Sequence, residues 1–341
     1  MRIAWLEEPH FPENYYDALQ QPLRALGHTV VERRVPLAAA SLADTDLALA
    51  GFGLFAQEVK SLRALPEFEP SSSASLCGVV PFVVILNKEY VALAEKLAWV
   101  RRHCVAAAFT VHHHAPLFSQ TTGVPFHKIS FGVDLARFAS ERAPRYELDL
   151  GFTGVIREDQ TSQWRLRIWN RVWPRLAARG LRLFSQSFGR GVRVRACREA
   201  RPGCEHKKLD PAGYVRTMQS SKLWLATTGP ADLVGTRYFE IMATGTTLCV
   251  CNRLHGNASA AYTSLGLVDG RTVVMFDSLE EFEEIVANYT TRPEYEEKRA
   301  AIVRRAQALA RRRFAWEQVA ARMDRVLRDV RREARSGRGA G

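Results

Sequence analysis

Residues 229–252 read GPADLVGTRYFEIMATGTTLCVCN, and the order of residue types in this stretch decides how the rest of the chain is read. An acid, Asp232, comes first. A glycine, Gly235, then opens a run with helical character, a second acid, Glu240, sits on that run, and an apolar strand leads out. With a helix beginning at Gly235 and Thr236, the first backbone N–H groups have no partner inside the helix and can face an anion. Glu240 follows about two turns beyond Asp232. This is a layout for gripping a nucleotide diphosphate. A plainer account also fits: Asp232 or Thr236 caps an ordinary helix and Glu240 faces water.

Outward from this stretch, short apolar runs alternate with amphipathic ones, the pattern of βαβ units on a parallel sheet. On its C-terminal side the pattern predicts a strand over 273–276 and helices over 278–289, 293–313 and 315–332. On its N-terminal side it predicts strands over 149–154, 181–184 and 222–226, with helices over 161–178 and 211–220. The first 135 residues repeat the theme, with strands over 2–6, 29–33, 46–50, 81–86 and 104–109, a helix ending at Gly27 and another over 89–102. The strand PFVVIL (81–86) is apolar throughout, which indicates burial on both faces. At 341 residues the chain exceeds the size at which one core stops growing. The expected architecture is α/β, with two Rossmann-like domains: residues 1–138, a linker over 139–147, residues 148–314, and a basic C-terminal helix with a frayed SGRGAG tail over 315–341.

Composition excludes a disordered or fibrous chain, since 47% of residues are hydrophobic and 25% charged. No apolar run reaches the length of a membrane span, and the N-terminal apolar stretch is too short for a secretory signal. A cytoplasmic, non-spanning protein is expected. The six cysteines form no CxxC pair and have no histidine at zinc-site spacing, so they read as buried or free thiols in a reducing compartment. Cys249 and Cys251 alternate along a strand and point to opposite faces.

The formal net charge is +12, and half of it comes from residues 311–338, where ten arginines face four acids. Val319, Met323, Val326 and Val330 recur there at helical spacing, so one side of this helix packs while arginines line the rest. Those arginines are a candidate contact for an anionic surface or a nucleic acid.

Three landmarks carry a resemblance. Asp232, Gly235 and Glu240 resemble the acidic-x7-Glu element of GT-B glycosyltransferases. ISFGVDLARF (129–138) resembles the Gly-Val-Asp segment that closes the first domain of such enzymes, and DLGFTG (149–154) resembles the glycine-ended first strand of the second. The chain is similar to the spore-maturation type with a "Glycosyl transferases group 1" C-terminal domain. This resemblance implies a GT-B fold of two facing Rossmann-like domains. It implies a metal-independent hexosyltransferase with no cofactor, using a nucleotide diphosphate sugar, a UDP-sugar above all, as co-substrate and a hydroxyl acceptor. Gly154 corresponds to the position where a side chain would obstruct the donor, and Arg157, with Arg165 as the competing choice, to the cation against the diphosphate. Gly235 and Thr236 correspond to the turn at the diphosphate, and Glu240 to the ribose acid. The chain departs from the pattern at Asp232, where glutamate is usual, at Val234, and at Arg237 and Tyr238. Arg237 either supplies phosphate charge or pairs with Asp232 or Glu240.

The acceptor side is less defined. His112, His113 and His114 follow a strand at the end where α/β sheets place their ligands, and an imidazole can take a proton from a hydroxyl near neutral pH. Three consecutive histidines are not expected to face one cleft together. Glu7, Glu8 and His10, after the first strand, are a rival set. Asn87, Lys88 and Glu89 follow the fourth strand, with Asn87 placed to cap the next helix. Two alternatives accompany the main reading: transfer to a hydroxylated base in DNA, and a non-catalytic nucleotide-sugar-binding protein of the same fold.

Overall fold

The computed structural model describes residues 1–7, 15, 17–34, 37, 42, 44–55, 65–70, 75–141, 143–154, 156, 163–187 and 209–338. It divides into two compact units, Met1–Phe131 with Trp316–Gly341, and Gly132–Ala315.

In the first unit, β1 (Arg2–Glu7), β2 (Thr29–Arg34), β3 (Leu47–Ala50), β4 (Phe82–Ile85), β5 (Val105–Thr110) and β6 (Phe126–Lys128) form one sheet in the order β2-β1-β3-β4-β5-β6. Every pairing is parallel. Both β3 and β4 are buried at all positions, as continuous apolar strands under helices should be. The core gathers Phe55, Phe68, Phe82 and Trp99, with Phe68 stacked on Phe82 at 3.9 Å. The sequence pattern lacks β6 because three residues, Phe-His-Lys, are too few to show a period.

The helix expected over 89–102 begins only at Leu93. Lys88 and Ala92 take left-handed backbone angles, φ 48 and 52, so the chain turns twice before it can coil. Asn87 therefore caps nothing.

The free-thiol expectation fails for one pair. Cys77 and Cys104 form a disulfide, with their Cα atoms 5.6 Å apart across 27 residues of sequence. The fold lays the turn before β4 beside the start of β5, a proximity that no short cysteine spacing announces, and these cysteines no longer argue for a reducing compartment. Cys249 and Cys251 are free and buried. Cys197 and Cys204 lie outside the described residues. No helix among the described residues is long and apolar enough to cross a membrane.

The C-terminal helix, Trp316–Arg338, belongs to the first unit and runs further than expected, taking in Ser336–Arg338 of the tail expected to fray. Its packed face is Val319, Met323, Leu327 and Val330, with Leu327 buried where Val326 was expected. Its charges are largely answered: Arg331 reaches Asp46 at 2.6 Å, Arg328 pairs with Asp324, Arg332 with Asp329, and His28 with Asp324 at 2.6 Å.

In the second unit, β7 (Leu148–Gly154), β8 (Leu183–Ser187), β9 (Ser221–Ala226), β10 (Leu248–Asn252) and β11 (Val274–Phe276) form a parallel sheet in the order β11-β10-β9-β7-β8. Trp224 lies against Gly151, where a Cβ would collide with its ring. The helix expected over 161–178 is three pieces: Gln163–Arg167, a π turn over Ile168–Val172, and Trp173–Ala178. Pro174 has no N–H to give the helical ladder, and Trp173 bonds back five residues to the Ile168 carbonyl.

Both boundaries differ from the expected ones. The segment from Gly132 to Phe138 lies in the second unit, where the Val133 N–H donates to the Phe314 carbonyl at 2.8 Å and Asp134 caps the short helix Leu135–Phe138. The expected linker is packed there too. Ser140 N–H donates to the Thr244 carbonyl at 3.0 Å, and the Tyr146 hydroxyl donates to the Thr246 carbonyl at 3.0 Å.

Candidate active site

The stretch first quoted folds as a strained loop and a nine-residue helix. Ala231 and Asp232 both take left-handed angles, φ 54 and 57. Such angles cost a non-glycine residue about 1–3 kcal/mol each and persist where the surroundings enforce them. Here the Gly229 N–H donates to the Leu233 carbonyl at 2.8 Å, closing the loop, while Leu233 and Val234 are buried. The helix Thr236–Thr244 then starts at Gly235 with no side-chain cap. Neither Asp232 nor Thr236 fills that role, so the capping account is excluded. Among the described residues, a Cβ added to Gly235 would meet nothing within 4 Å.

Buried Tyr238, Phe239, Ile241 and Met242 anchor this helix and leave Glu240 on its other side. The Tyr214 hydroxyl donates to Glu240 Oε2 at 2.7 Å, and Arg237 Nη1 lies 3.3 Å from the same oxygen. The Arg237 guanidinium also sits 5.0 Å from the centre of the Tyr214 ring. Arg237 thus pairs with Glu240. Glu240 Oε1 takes no hydrogen bond among the described residues, so the carboxylate is oriented through one oxygen. Tyr214 was missed in the sequence reading; it comes from the helix Pro211–Gln219, 26 residues away, with no local pattern to flag it.

At the end of β7, Gly154 has φ 151, a conformation that disfavours any side chain. A Cβ there would come within 3.4 Å of the Phe152 ring and 3.5 Å of Arg165 Nη1. Arg165 is anchored by Nε to Thr227 Oγ1 at 2.6 Å and by Nη2 to the Thr227 carbonyl at 3.2 Å, just past β9. Arg165 is therefore brought to the strand ends beside Gly154. Arg167 instead stacks on Trp164 at 5.2 Å and is exposed. Arg157 lies outside the described residues.

The histidine turn belongs to the first unit. The three rings lie close together, with centroids 4.0 to 4.6 Å apart. His112 is buried, His113 half-buried and His114 exposed. Burial first, then His112, His114 and Lys128, pull the His113 pKa down to about 4, so its ring is neutral at pH 7. The ring nitrogens lie within 4.8 Å of one another, a group that can in principle hold a metal ion. Two features oppose it in this arrangement: His112 Nδ1 accepts the His114 N–H at 3.2 Å, and the rings of His112 and His113 stack, which keeps their in-plane lone pairs from converging.

Glu89, 1% exposed, ties this turn to the loop after β4. Its Oε1 accepts the Thr110 hydroxyl at 2.6 Å and the Val111 N–H at 3.2 Å, and Thr110 Oγ1 in turn accepts the His112 N–H at 3.1 Å. Burial raises the Glu89 pKa. Lys96, fully buried, donates to the carbonyls of Phe55, Asn87 and Lys88 at 2.7, 2.8 and 3.1 Å, and burial lowers its pKa to about 8. Among the rival set, Glu7 is buried, accepts the Trp5 indole N–H at 3.2 Å and packs against Gly51 and Gly53. That leaves little room for a substrate at Glu7. Glu8 and His10 lie outside the described residues.

The model of the glycosyl transferase-like family matches residues 155–325, half of the chain, and the chain belongs to that family. No curated protein sequence matches it. Among solved structures, it is similar to Anabaena HepE in complex with UDP and glucose, with TM-score 0.63 and 14% identity over 96% of this chain and 100% of that one. It is similar to a glycosyltransferase from Rickettsia africae, with TM-score 0.64 and 9% identity over 96% and 98%. It is also similar to the DNA modifying enzyme β-glucosyltransferase, with TM-score 0.57 and 10% identity over 97% and 99%. These likenesses show the fold, two parallel-sheet α/β domains of the GT-B kind.

Proposed function

We propose that the protein transfers a hexose from a nucleotide diphosphate sugar, with UDP as the nucleotide, to a hydroxyl acceptor, without a bound metal, and that within its family it is of the spore-maturation type. The observation that carries this reading is Glu240: an acid oriented through Oε2, with Oε1 open, on a helix whose start is uncapped. In transfer, the bond between the sugar C1 and the diphosphate oxygen breaks as an acceptor oxygen bonds to C1. Negative charge grows on the departing diphosphate. The free N–H groups at Gly235 and Thr236 and the Arg165 guanidinium are suited to take up that charge, and Glu240 Oε1 to accept a ribose hydroxyl. Arg157 is a second candidate cation. Asp232, held on a strained loop, is assigned to the donor sugar.

His113 is the candidate to receive the acceptor proton, since its ring is neutral at pH 7 and has a free site for a proton; His112, His114 and Glu8 are the alternatives. HepE, a structural neighbour, binds UDP-glucose, which supports the choice of donor. A thermal-shift screen with UDP, GDP, ADP, CMP, dTDP and their sugars tests the reading, because a ligand that binds only the folded state raises the melting point. UDP and UDP-sugars are expected to shift the wild type and to lose most of that effect in Glu240→Ala. No shift by any nucleotide, or an unchanged response in Glu240→Ala, refutes the donor site.

A second reading, transfer to a modified base in DNA, is supported by the likeness to β-glucosyltransferase. The arginines of the C-terminal helix, several of them paired with acids, give it limited support. Affinity for duplex DNA that falls steeply with salt would favour it.

A further inference from the structure

The net charge of +12 is not neutralised evenly. Arginines of the C-terminal helix that drew attention in the sequence are paired with Asp46, Asp324 and Asp329. Unanswered charge collects around a concave pocket of about 350 Å³ in the second unit, lined in part by Arg312 and Arg313 at the start of the same arginine-rich stretch. The helix Glu296–Arg313 supplies Arg305, Ala308, Leu309, Arg312 and Arg313 to it, and the loop before β11 supplies Gly266, Val268, Arg271 and Thr272. Among the described residues no carboxylate lines it. Arg305 is tied to the carbonyls of Arg271 and Gly270, and Arg313 to that of Ser264, whereas the guanidinium groups of Arg271 and Arg312 have no partner among the described residues. The acid in that loop, Asp269, is taken by Arg253 and by the Met275 N–H. Val268, Ala308 and Leu309 are the apolar lining residues, and Val268 stays 45% exposed.

We propose that this pocket seats the headgroup of an anionic phospholipid and so docks the protein on a negatively charged bilayer. Guanidinium groups bind phosphate through two parallel hydrogen bonds, which accounts for the rim. Exposed Val268 beside them favours a ligand that joins phosphate to hydrocarbon, as a glycerophospholipid does. A small soluble phosphate would satisfy the arginines and leave Val268 wet. The four lining arginines also suit the negative potential of such a surface, where each cation adds to the attraction. None of the lining residues is among the donor-site residues, so docking and donor binding can be read separately, and this inference stands whether or not the proposed transfer holds.

Vesicle co-sedimentation tests it with the full chain. Vesicles of phosphatidylcholine alone are compared with vesicles containing phosphatidylglycerol, for wild type, Arg271→Glu/Arg312→Glu, Val268→Ser, and the control Arg325→Glu/Arg332→Glu on the C-terminal helix. The wild type is expected to bind only the anionic vesicles. Arg271→Glu/Arg312→Glu should weaken that binding about tenfold or more, Val268→Ser should weaken it at high salt, and the control should retain most of it. Melting curves confirm that each variant is folded, and all five substitutions are at exposed side chains. The proposal is overturned if the wild type ignores anionic vesicles, if the control loses as much binding as the pocket variant, or if inorganic phosphate or UDP at millimolar concentration releases the protein from the vesicles.

Discussion

Glu240 in the second unit and Glu89 in the first are both held through one carboxylate oxygen by two donors, and they differ in what surrounds the other oxygen. Glu240 Oε2 meets the Tyr214 hydroxyl and Arg237, and its side chain keeps 18% of its surface exposed. Glu89 Oε1 meets Thr110 and Val111, and Oε2 is sealed in the interior without a partner among the described residues. One carboxylate next to an arginine and open to solvent is equipped to accept a ligand's hydroxyl. The other, raised in pKa by burial, is equipped to hold backbone and side chain in place. The contrast supports the binding role proposed for Glu240, and it gives Glu89 the contacts that position the histidine turn.

The largest effect that can break this assignment is on stability. Glu89→Ala strips the buried Thr110 hydroxyl and Val111 N–H of their acceptor, and should destabilise the chain by about 3 kcal/mol in urea unfolding. Glu89→Gln keeps an acceptor and should cost far less. The pH dependence follows from the raised pKa: the contribution of Glu89 is full below the unfolded value near 4.5 and is lost as pH rises through the higher folded value. Wild-type stability should decline over that interval, and Glu89→Gln should remove that part of the slope. A slope unchanged by the substitution would show that Glu89 is not the buried acid described.

Next in size is donor binding. Glu240→Ala should weaken a UDP-sugar by about 2 kcal/mol, roughly thirtyfold, measured by calorimetry, with little change in the melting point of the free protein. Glu89→Gln should leave donor affinity unchanged. If both substitutions weaken the donor alike, the division of labour between the two acids is wrong.

How far each acid could be read in the sequence follows the same contrast. The strand, turn and helix around Glu240 were legible because they are local: a loop closed from Gly229 to Leu233, a helix from Thr236 to Thr244, a strand from Leu248 to Asn252. The parallel α/β layout of both units was legible for the same reason, in runs of apolar residues. What orients the groups was not. Tyr214 reaches Glu240 across 26 residues, Thr110 reaches Glu89 across 21, and Cys77 reaches Cys104 across 27. Such pairings depend on which strand ends lie side by side, and the order of strands in the sheet carries that information. The left-handed turns at Lys88 and Ala92 were likewise hidden, because neither is a glycine.

A smaller effect probes what Glu89 positions. The His113 pKa is depressed to about 4, chiefly by burial, so its neutral form contributes stability above the unfolded value of 6.5 that is lost as pH falls toward 4. Partial exposure screens the charge, and the loss should be about 1–2 kcal/mol, absent in His113→Asn. If His113 takes the acceptor proton, the acidic limb of the rate profile should lie near pH 4. A limb near 6.5 would move that role to another histidine of the turn.

The smallest effect bears on how Glu240 is oriented. Tyr214→Phe removes one hydrogen bond to Oε2 while keeping the ring under Arg237, so the ion pair and its stacking partner survive. A neutral donor to a charged acceptor contributes about 1 kcal/mol, and donor affinity should fall about fivefold with no loss of the fold. Arg237→Ala removes the other contact and leaves the Tyr214 bond. Glu240 then carries an unshared negative charge toward a site that must also receive a diphosphate, so the loss should be larger than for Tyr214→Phe and should grow at low salt. Equal losses at every salt concentration would mean that Arg237 acts on Glu240 only by holding its geometry. In that case its charge does not reach the diphosphate, and Arg165 is left as the described arginine placed to meet it.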